Sequence, residues 1–96
     1  MRYYFDNEIA KKNGLECAVL LNFIKICCLR NEELNIYYFK NKYWTRLSIE
    51  KIKNEFPYMS NYVIIQSLNT LEKNNYILVD NFNDTKMDRT KWYSIK

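Results

Sequence analysis

The last third of the chain, from Ser60 to Ile95, restricts the possible folds more than any other segment. Ser60 is a residue type that favours the N-cap of a helix, and apolar residues then recur at helical spacing: Ile64, Leu68 and Leu71. This pattern predicts an amphipathic helix that begins after Ser60, reaches Lys73 and buries one stripe of side chains.

A strand, a loop and a second strand are expected after this helix. The pair Asn74-Asn75 supplies a turn, because Asn adopts the left-handed conformation readily, and residues 76–79 then form a strand. Residues 80–88 are a polar, partly basic loop, and residues 91–95 form an aromatic returning strand. A winged helix presents its recognition helix and its wing to DNA in this order, so nucleic-acid binding is the leading hypothesis.

Earlier in the chain, two helices are predicted. Asp6 or Asn7 is the expected N-cap of a brief helix that ends at Lys12, after an extended lead-in over residues 3–5. A long amphipathic helix is expected from Leu15 to about Asn31. Its expected buried positions recur three and four apart: Leu15, Ala18, Val19, Leu21, Ile24 and Cys28.

An aromatic run over residues 35–45, with a polar centre, predicts a β-hairpin or a long strand pair. Ser48 is then expected to cap a short helix that ends at Phe56, before Pro57. Ile52 and Phe56 are four residues apart and are expected to face inward.

Together these elements predict one α+β domain over residues 1–96. The expected fold is a winged helix-turn-helix whose helices pack on a small antiparallel β-hairpin sheet. Apolar residues make up 48% of the chain and aromatic residues 17%, which is enough for one buried core and argues against general disorder.

Composition also excludes several functions. The chain has no His, and its three cysteines, Cys17, Cys27 and Cys28, include no CxxC pair, so we expect no metal site. Their apolar surroundings predict reduced, buried thiols in a cytoplasmic protein. A single Gly and scattered carboxylates predict neither a nucleotide loop nor a catalytic group, so we expect no cofactor and no enzyme. No segment has the length and apolarity that a membrane span requires.

Five segments carry a resemblance that covers nearly the whole chain: Gly14–Ile24, Lys42–Ser48, Phe56–Ser60, Leu71–Ile77 and Lys86–Ile95. Together they resemble the N-terminal winged-helix domain of phage and plasmid replication proteins, the replisome organisers and DnaD-like initiators of low-GC Gram-positive bacteria. The last segment is the most specific. The resemblance implies a DNA-binding domain that acts at an origin or an operator. Family members usually continue into a linker and a further domain, so we expect an excised module or a stand-alone regulator.

The exposed face of the predicted recognition helix carries the residues expected to read bases: Asn61, Tyr62, Ile65, Gln66 and Asn69. Asn and Gln hydrogen-bond adenine bidentately and an apolar side chain contacts the thymine methyl group, which favours an A·T-rich double-stranded site. Relatives commonly carry basic residues at the positions of Ile65 and Gln66, so this helix departs from the family pattern.

Backbone contacts are expected from cations on both sides of that helix and at its end: Lys42, Arg46, Lys51, Lys53, Lys73, Lys86, Arg89 and Lys91. The net charge of +4 and a pI near 8.9 favour a polyanionic partner. The predicted function is sequence-preferring binding of double-stranded DNA, in phage or plasmid replication initiation or in transcriptional control.

The partners of the chain could also be proteins. Because Ile65 lies beside Tyr62 on an exposed face, the chain is alternatively a small protein-protein interaction domain, such as a phage-type regulator or an inhibitor of a host protein. We also expect a homodimer, and Tyr37, Tyr38 and Phe39 are candidates for an exposed contact patch.

The cations and the aromatic residues each allow a second interpretation. The cations alternatively form a solvated surface, and Asp88 alternatively pairs with the adjacent Arg89. Trp44 and Trp92 are expected to be buried anchors with a bonded indole N–H, rather than platforms for single-stranded bases. Core positions are also expected for two residues of the last strand: Tyr93 and Ile95.

Overall fold

Four helices and two small antiparallel sheets make up residues 5–96, the part of the chain that the computed structural model describes. The helices are α1 (Asn7–Asn13), α2 (Leu15–Leu34), α3 (Ile49–Glu55) and α4 (Asn61–Lys73). The predicted α+β class is therefore confirmed. The expected lead-in at residues 3 and 4 lies outside the described residues.

Three helices begin where a side chain satisfies a free backbone donor. Asp6, Ser48 and Ser60 each accept a hydrogen bond from an N–H two or three residues later, at 2.8–3.1 Å. All three predicted N-caps are thus confirmed, with Asp6 chosen over Asn7. Replacing such a cap by Ala typically costs about 1 kcal/mol, so these contacts help to fix the helix boundaries.

The central helix α2 is longer and more widely buried than expected. It continues past Asn31 to Leu34. Asn35 ends it there, with a left-handed φ of 54° and an N–H that donates to the carbonyls of Asn31 and Glu32. Leu15, predicted to be buried, is exposed at the first turn, and Val19 is half-buried. The prediction for Leu15 was therefore wrong, whereas Val19 is partly buried and packs against the core. Helix α2 contacts α1, α4 and strands of both sheets, so its buried face is broader than one stripe: Cys17, Ala18, Leu20, Leu21, Phe23, Ile24 and Cys28.

Two-residue strands β1 (Tyr38–Phe39) and β2 (Lys42–Tyr43) form the predicted hairpin. Lys40 and Asn41 make its turn with φ values of 51° and 63°. Two positive φ angles are what a tight two-residue hairpin turn requires, since that geometry matches the twist of the strands.

A second sheet contains β3 (Thr45–Arg46), β4 (Ile77–Asp80) and β5 (Trp92–Ile95), all antiparallel in the order β3-β5-β4. The sequence did not predict β3 as a separate strand; instead of ending the hairpin, Thr45 pairs with Tyr93. The boundaries of β4 and β5 each differ by one residue from the prediction. At the preceding turn Asn75 is left-handed, with a φ of 64°, whereas Asn74 is not.

The core fills the space between the helices and the β3-β5-β4 sheet. Its largest fully buried side chains come from every layer: Leu20, Ile24, Leu47, Ile52, Phe56, Ile64, Leu71 and Ile77. The predicted inward positions of α3 and α4 are therefore confirmed. Tyr93 is also buried, and Ile95 packs at the edge of the core opposite Ile77.

Candidate nucleic-acid interface

Helix α4 presents to solvent a face that is mostly polar but includes an exposed isoleucine and an exposed tyrosine. Ile64, Leu68 and Leu71 point into the core and thereby fix the orientation of the opposite side. All five residues predicted to read bases are exposed on that side: Asn61, Tyr62, Ile65, Gln66 and Asn69. Lys73, at the last turn, is exposed as well.

A groove of about 320 Å³ runs between α4, the start of α3 and the end of the β4–β5 loop. Ile65 and Asn69 line it from α4, and Arg89 and Lys91 line it from the loop. Leu47, Leu68 and Tyr93 lie among its buried lining residues. The structure therefore brings together two predicted base-reading residues and two predicted backbone contacts. Asn61, Tyr62 and Gln66 lie on the same helix but do not line this groove.

The β4–β5 loop is braced by the side chain of Asn83. Its Nδ2 donates to the carbonyls of Asp88 at 2.9 Å and Thr90 at 2.7 Å. Its Oδ1 accepts from Arg46 Nε at 3.0 Å and from Trp92 Nε1 at 2.7 Å. We call these four hydrogen bonds the Asn83 network. One amide thereby ties the loop to both β3 and β5, and all of its hydrogen-bonding positions are used.

Ion pairs change the charge of this loop from what the sequence indicates. Between Asp80 and Lys91 the chain has three carboxylates and three cations. Asp80 accepts a hydrogen bond from Lys40 at 2.6 Å, and Asp88 pairs with Arg46. Both of these cations come from outside the loop. Within the described chain, Asp84 is therefore the one loop carboxylate without an ion pair, and it alone opposes the loop's own three cations.

Both paired carboxylates are stabilised in their charged form. The hydrogen bond from Lys40 is the largest cause that holds the pKa of Asp80 below its usual value. The pKa of Asp88 is also lowered, first by the backbone N–H and side chain of Thr90 and then by Arg46. Asp88 is therefore bonded to Arg46, and the alternative in which it pairs with Arg89 is wrong.

The loop carries its remaining cations outward. Within residues 5–96, Lys86, Arg89 and Lys91 are exposed and form no ion pair or side-chain hydrogen bond. Met87, between the first two, is 93% exposed. The loop thus offers three available cations, of which Arg89 and Lys91 line the groove, and one exposed apolar side chain.

Three predicted backbone contacts are instead engaged within the fold. Arg46 is held by Asn83 and Asp88. Lys42 donates to the Ile95 carbonyl at 3.1 Å and lines a different groove, and Lys53 donates to the carbonyls of Pro57 and Met59. None of these three lines the α4 groove. Their bonds give these cations a structural role that charge pattern alone does not reveal.

Lys51, on α3, is exposed and lies in another concavity, lined in part by Cys27, Thr45 and Glu55. The structure therefore places Lys51 apart from Arg89 and Lys91. Burial raises the pKa of the Cys27 thiol, which opposes formation of a thiolate there.

The tryptophans are buried anchors, as predicted. Trp44 donates its indole N–H to the Phe39 carbonyl at 2.8 Å, and Trp92 donates to Asn83. Phe82, which the sequence did not single out, stacks on Phe39 with ring centroids 4.4 Å apart and joins the hairpin to the loop. Tyr37 and Tyr38 are exposed as predicted, whereas Phe39 is half-buried.

Asn83 is the residue of this region that sequence reasoning missed. One local signal was available. The N–H of Asn83 donates to the side chain of Asn81 at 2.8 Å, and an Asn side chain commonly forms such a turn with the backbone two residues later. The bond of Asn83 to Arg46 spans 37 residues of sequence and its bond to Trp92 spans 9, so no pattern within a few residues indicates them.

Two cysteines and one tyrosine are buried in the core: Cys17, Cys28 and Tyr93. Burial raises the pKa of Cys28 to about 12, and that of Tyr93 also to about 12. Cys17 is likewise buried with a raised pKa. The predicted burial of the cysteines is confirmed for Cys17 and Cys28, while Cys27 is half-buried.

Over residues 5–96, no three His, Cys, Asp or Glu side chains are grouped to hold a metal ion.

None of the helices within residues 5–96 combines the length and the apolarity needed to cross a lipid bilayer.

Comparisons with protein-family models, with curated proteins and with solved structures found no match to this chain.

Proposed function

We propose that this chain is a winged-helix domain that binds double-stranded DNA with α4 as its recognition helix and the β4–β5 loop as its wing. The observation that carries the proposal is the groove in which the exposed face of α4 meets two cations of the loop, Arg89 and Lys91. The helix order α3, α4, followed by the β4–β5 hairpin with β3 as the third strand, supports the winged-helix assignment.

In the proposed complex α4 lies in the major groove. Gln66 and Asn69 hydrogen-bond adenine edges, and Ile65 contacts a thymine methyl group. Asn61 and Tyr62 are at the N-terminal end of the helix, the end from which many recognition helices contact bases. The preferred site is A·T-rich because these side chains match the donors, acceptors and methyl groups of A·T pairs.

The phosphate contacts come from cations that the fold leaves available. Arg89 and Lys91 contact the backbone beside the groove, and Lys86 reaches it from the wing. Lys73 contacts phosphates at the far end of α4. Each such contact adds about 0.9 to the magnitude of the salt slope of binding, so these four residues account for a slope of roughly −3.6.

The biological setting that we propose is phage or plasmid replication initiation, or transcriptional control. The support is the resemblance of the segment Lys86–Ile95 to replication proteins. This segment carries Lys86, Arg89 and Lys91 of the proposed wing as well as strand β5.

Selection from a random pool of duplex DNA tests the proposal. Enrichment of an A·T-rich motif is expected, with affinity that falls steeply as salt rises. Affinity that stays at the weak non-specific level for every selected sequence would refute DNA reading.

Substitutions separate base reading from backbone contact. Gln66→Ala should lower the preference for the selected site, whereas Lys86→Ala should weaken binding to all duplexes and reduce the magnitude of the salt slope by about 1. Lys12→Ala, at an exposed lysine of α1, is the matched control and should change neither property. Equal effects of the lysine variants would contradict a specific role of the wing.

A protein partner is the second candidate function, and the exposure of aromatic and apolar side chains favours it. Tyr58, Tyr62 and Ile65 are all exposed on or beside α4. Exposed apolar side chains that lie near one another commonly mark protein contacts. A pull-down that survives high salt and is lost with Ile65→Asp would support this function instead, because a DNA complex weakens as salt rises.

A further inference from the structure

The outer face of α2 has an unpartnered surface that shares no residue with the α4 groove. Lys25, Leu29, Glu32 and Glu33 recur three and four apart along α2, so they lie on one side of the helix. All four are exposed, and Leu29 is 57% exposed. Along the helix, the exposed leucine therefore has a charged residue on each side, Lys25 before it and Glu33 after it.

Beside Leu29 the surface is concave. A groove of about 360 Å³ lies between α2 and the ends of β2 and β5. Leu29, Tyr43 and Ile95 provide its apolar lining, and Lys25 and Glu32 lie on the α2 side. Each copy of the chain therefore presents both a projecting leucine and a concavity next to it.

The charges on this face are complementary to themselves. Lys25 precedes Leu29 by four residues, and Glu33 follows it by four. A twofold axis through Leu29 sets two α2 helices antiparallel, and each Lys25 then faces Glu33 of the partner subunit. We propose that a second copy of this chain docks here, with the two α2 helices packed antiparallel around Leu29.

Helix geometry permits these contacts. Four residues correspond to about 6 Å along a helix axis, so both charges lie within one helical turn or so of the leucine. Packed helices have axes about 8–10 Å apart, a distance that lysine and glutamate side chains span together.

The position of the acidic residues gives independent support. Glu32 and Glu33 lie in the last turn of α2, where the partial negative charge of the helix end disfavours carboxylates, and that turn contains no basic residue. Neither glutamate has an ion-pair partner in the described part of the chain. In the proposed dimer, Lys25 of the partner subunit supplies the missing cation at this helix end.

Sedimentation velocity of the whole chain without DNA, over a range of protein concentrations, tests the dimer. The wild type should show a concentration-dependent dimer, and Leu29→Asp should raise its dissociation constant at least about tenfold. Leu34→Asp is the matched control, because Leu34 is also an exposed leucine of α2, 61% exposed, but lies five residues away on another side. A wild type that stays monomeric, or equal effects of the two variants, would overturn the proposal.

Charge reversal distinguishes this arrangement from other dimers. Lys25→Glu and Glu33→Lys should each weaken the dimer about fivefold, and the double variant should restore it to within about twofold of the wild type. Failure of the double variant to recover would overturn the antiparallel arrangement. A dimer that is lost with Tyr38→Asp but kept with Leu29→Asp would place the contact at the β1–β2 hairpin instead. Because no DNA is present, these results do not depend on the proposed function.

Discussion

Replacing Asn83 by Ala should destabilise the fold more than any ordinary change in an exposed loop. The side chain of Asn83 makes four hydrogen bonds that connect the β4–β5 loop to Arg46 and Trp92. Asn83→Ala removes all four and leaves the rest of the loop sequence unchanged. The indole N–H of Trp92 then loses the acceptor that it has in the described part of the chain.

The expected magnitude follows from the burial of each partner. Trp92 is 5% exposed, and an unsatisfied buried donor costs about 1–3 kcal/mol. Arg46 is exposed and the bonded loop carbonyls are near the surface, so water replaces most of what they lose. We therefore expect the free energy of unfolding to fall by about 2 kcal/mol, which corresponds to a Tm lower by about 8–16 °C for a chain of this size.

Urea denaturation followed by tryptophan fluorescence measures this loss. Asn54→Ala is the matched control, since Asn54 is exposed on α3 and makes no side-chain hydrogen bond within residues 5–96; it should change stability by less than about 0.5 kcal/mol. A loss below about 0.5 kcal/mol for Asn83→Ala would refute the conclusion that this amide holds the loop.

Ile64→Ala should lower the free energy of unfolding by about 3 kcal/mol because Ile64 is fully buried, whereas exposed Ile65→Ala should change it by less than about 0.5 kcal/mol. Urea denaturation of both variants tests this, and equal losses would contradict the orientation of α4. The folded-state pKa of Asp88 is lowered, so its contribution to stability is present above the unfolded pKa of about 3.9 and is lost as pH falls through the lower folded pKa. Asp88→Asn should therefore flatten the fall in stability below about pH 4, and an unchanged pH curve would count against the Asp88 contacts. Cys28 has a pKa of about 12, and Cys17 is also buried, so a thiol reagent at about pH 8 should modify both only after denaturation; peptide mapping by mass spectrometry that finds rapid native modification at Cys28 would contradict its burial.

Local sequence signals predicted the helices well because caps and apolar spacing act over a few residues. Ser48 and Ser60 cap their helices as expected, and Ile64, Leu68 and Leu71 are buried. The same spacing failed on α2, where Leu15 is exposed. That helix is packed on several sides, so the buried positions depend on its neighbours rather than on its own periodicity.

The candidate site was predicted in part for the same reason. Exposure of Gln66 and Asn69 follows directly from the buried stripe of α4. The availability of each cation does not, because Arg46 is bound to Asp88 across 42 residues of sequence, whereas Arg89 is available. The sequence alone does not distinguish these two arginines, because only the tertiary contacts determine which cation has a partner and which faces solvent.

The Asn83 network also has a consequence for how the loop would meet DNA. A flexible loop must be ordered on binding, and the lost conformational entropy reduces affinity. Here the hydrogen bonds to Arg46 and Trp92 hold the loop in one shape beforehand. For the proposed complex, association would then be limited by diffusion and charge steering rather than by a folding step. A calorimetric heat-capacity change that matches rigid-body docking, without an added contribution from loop folding, is the thermodynamic signature of a wing formed in advance.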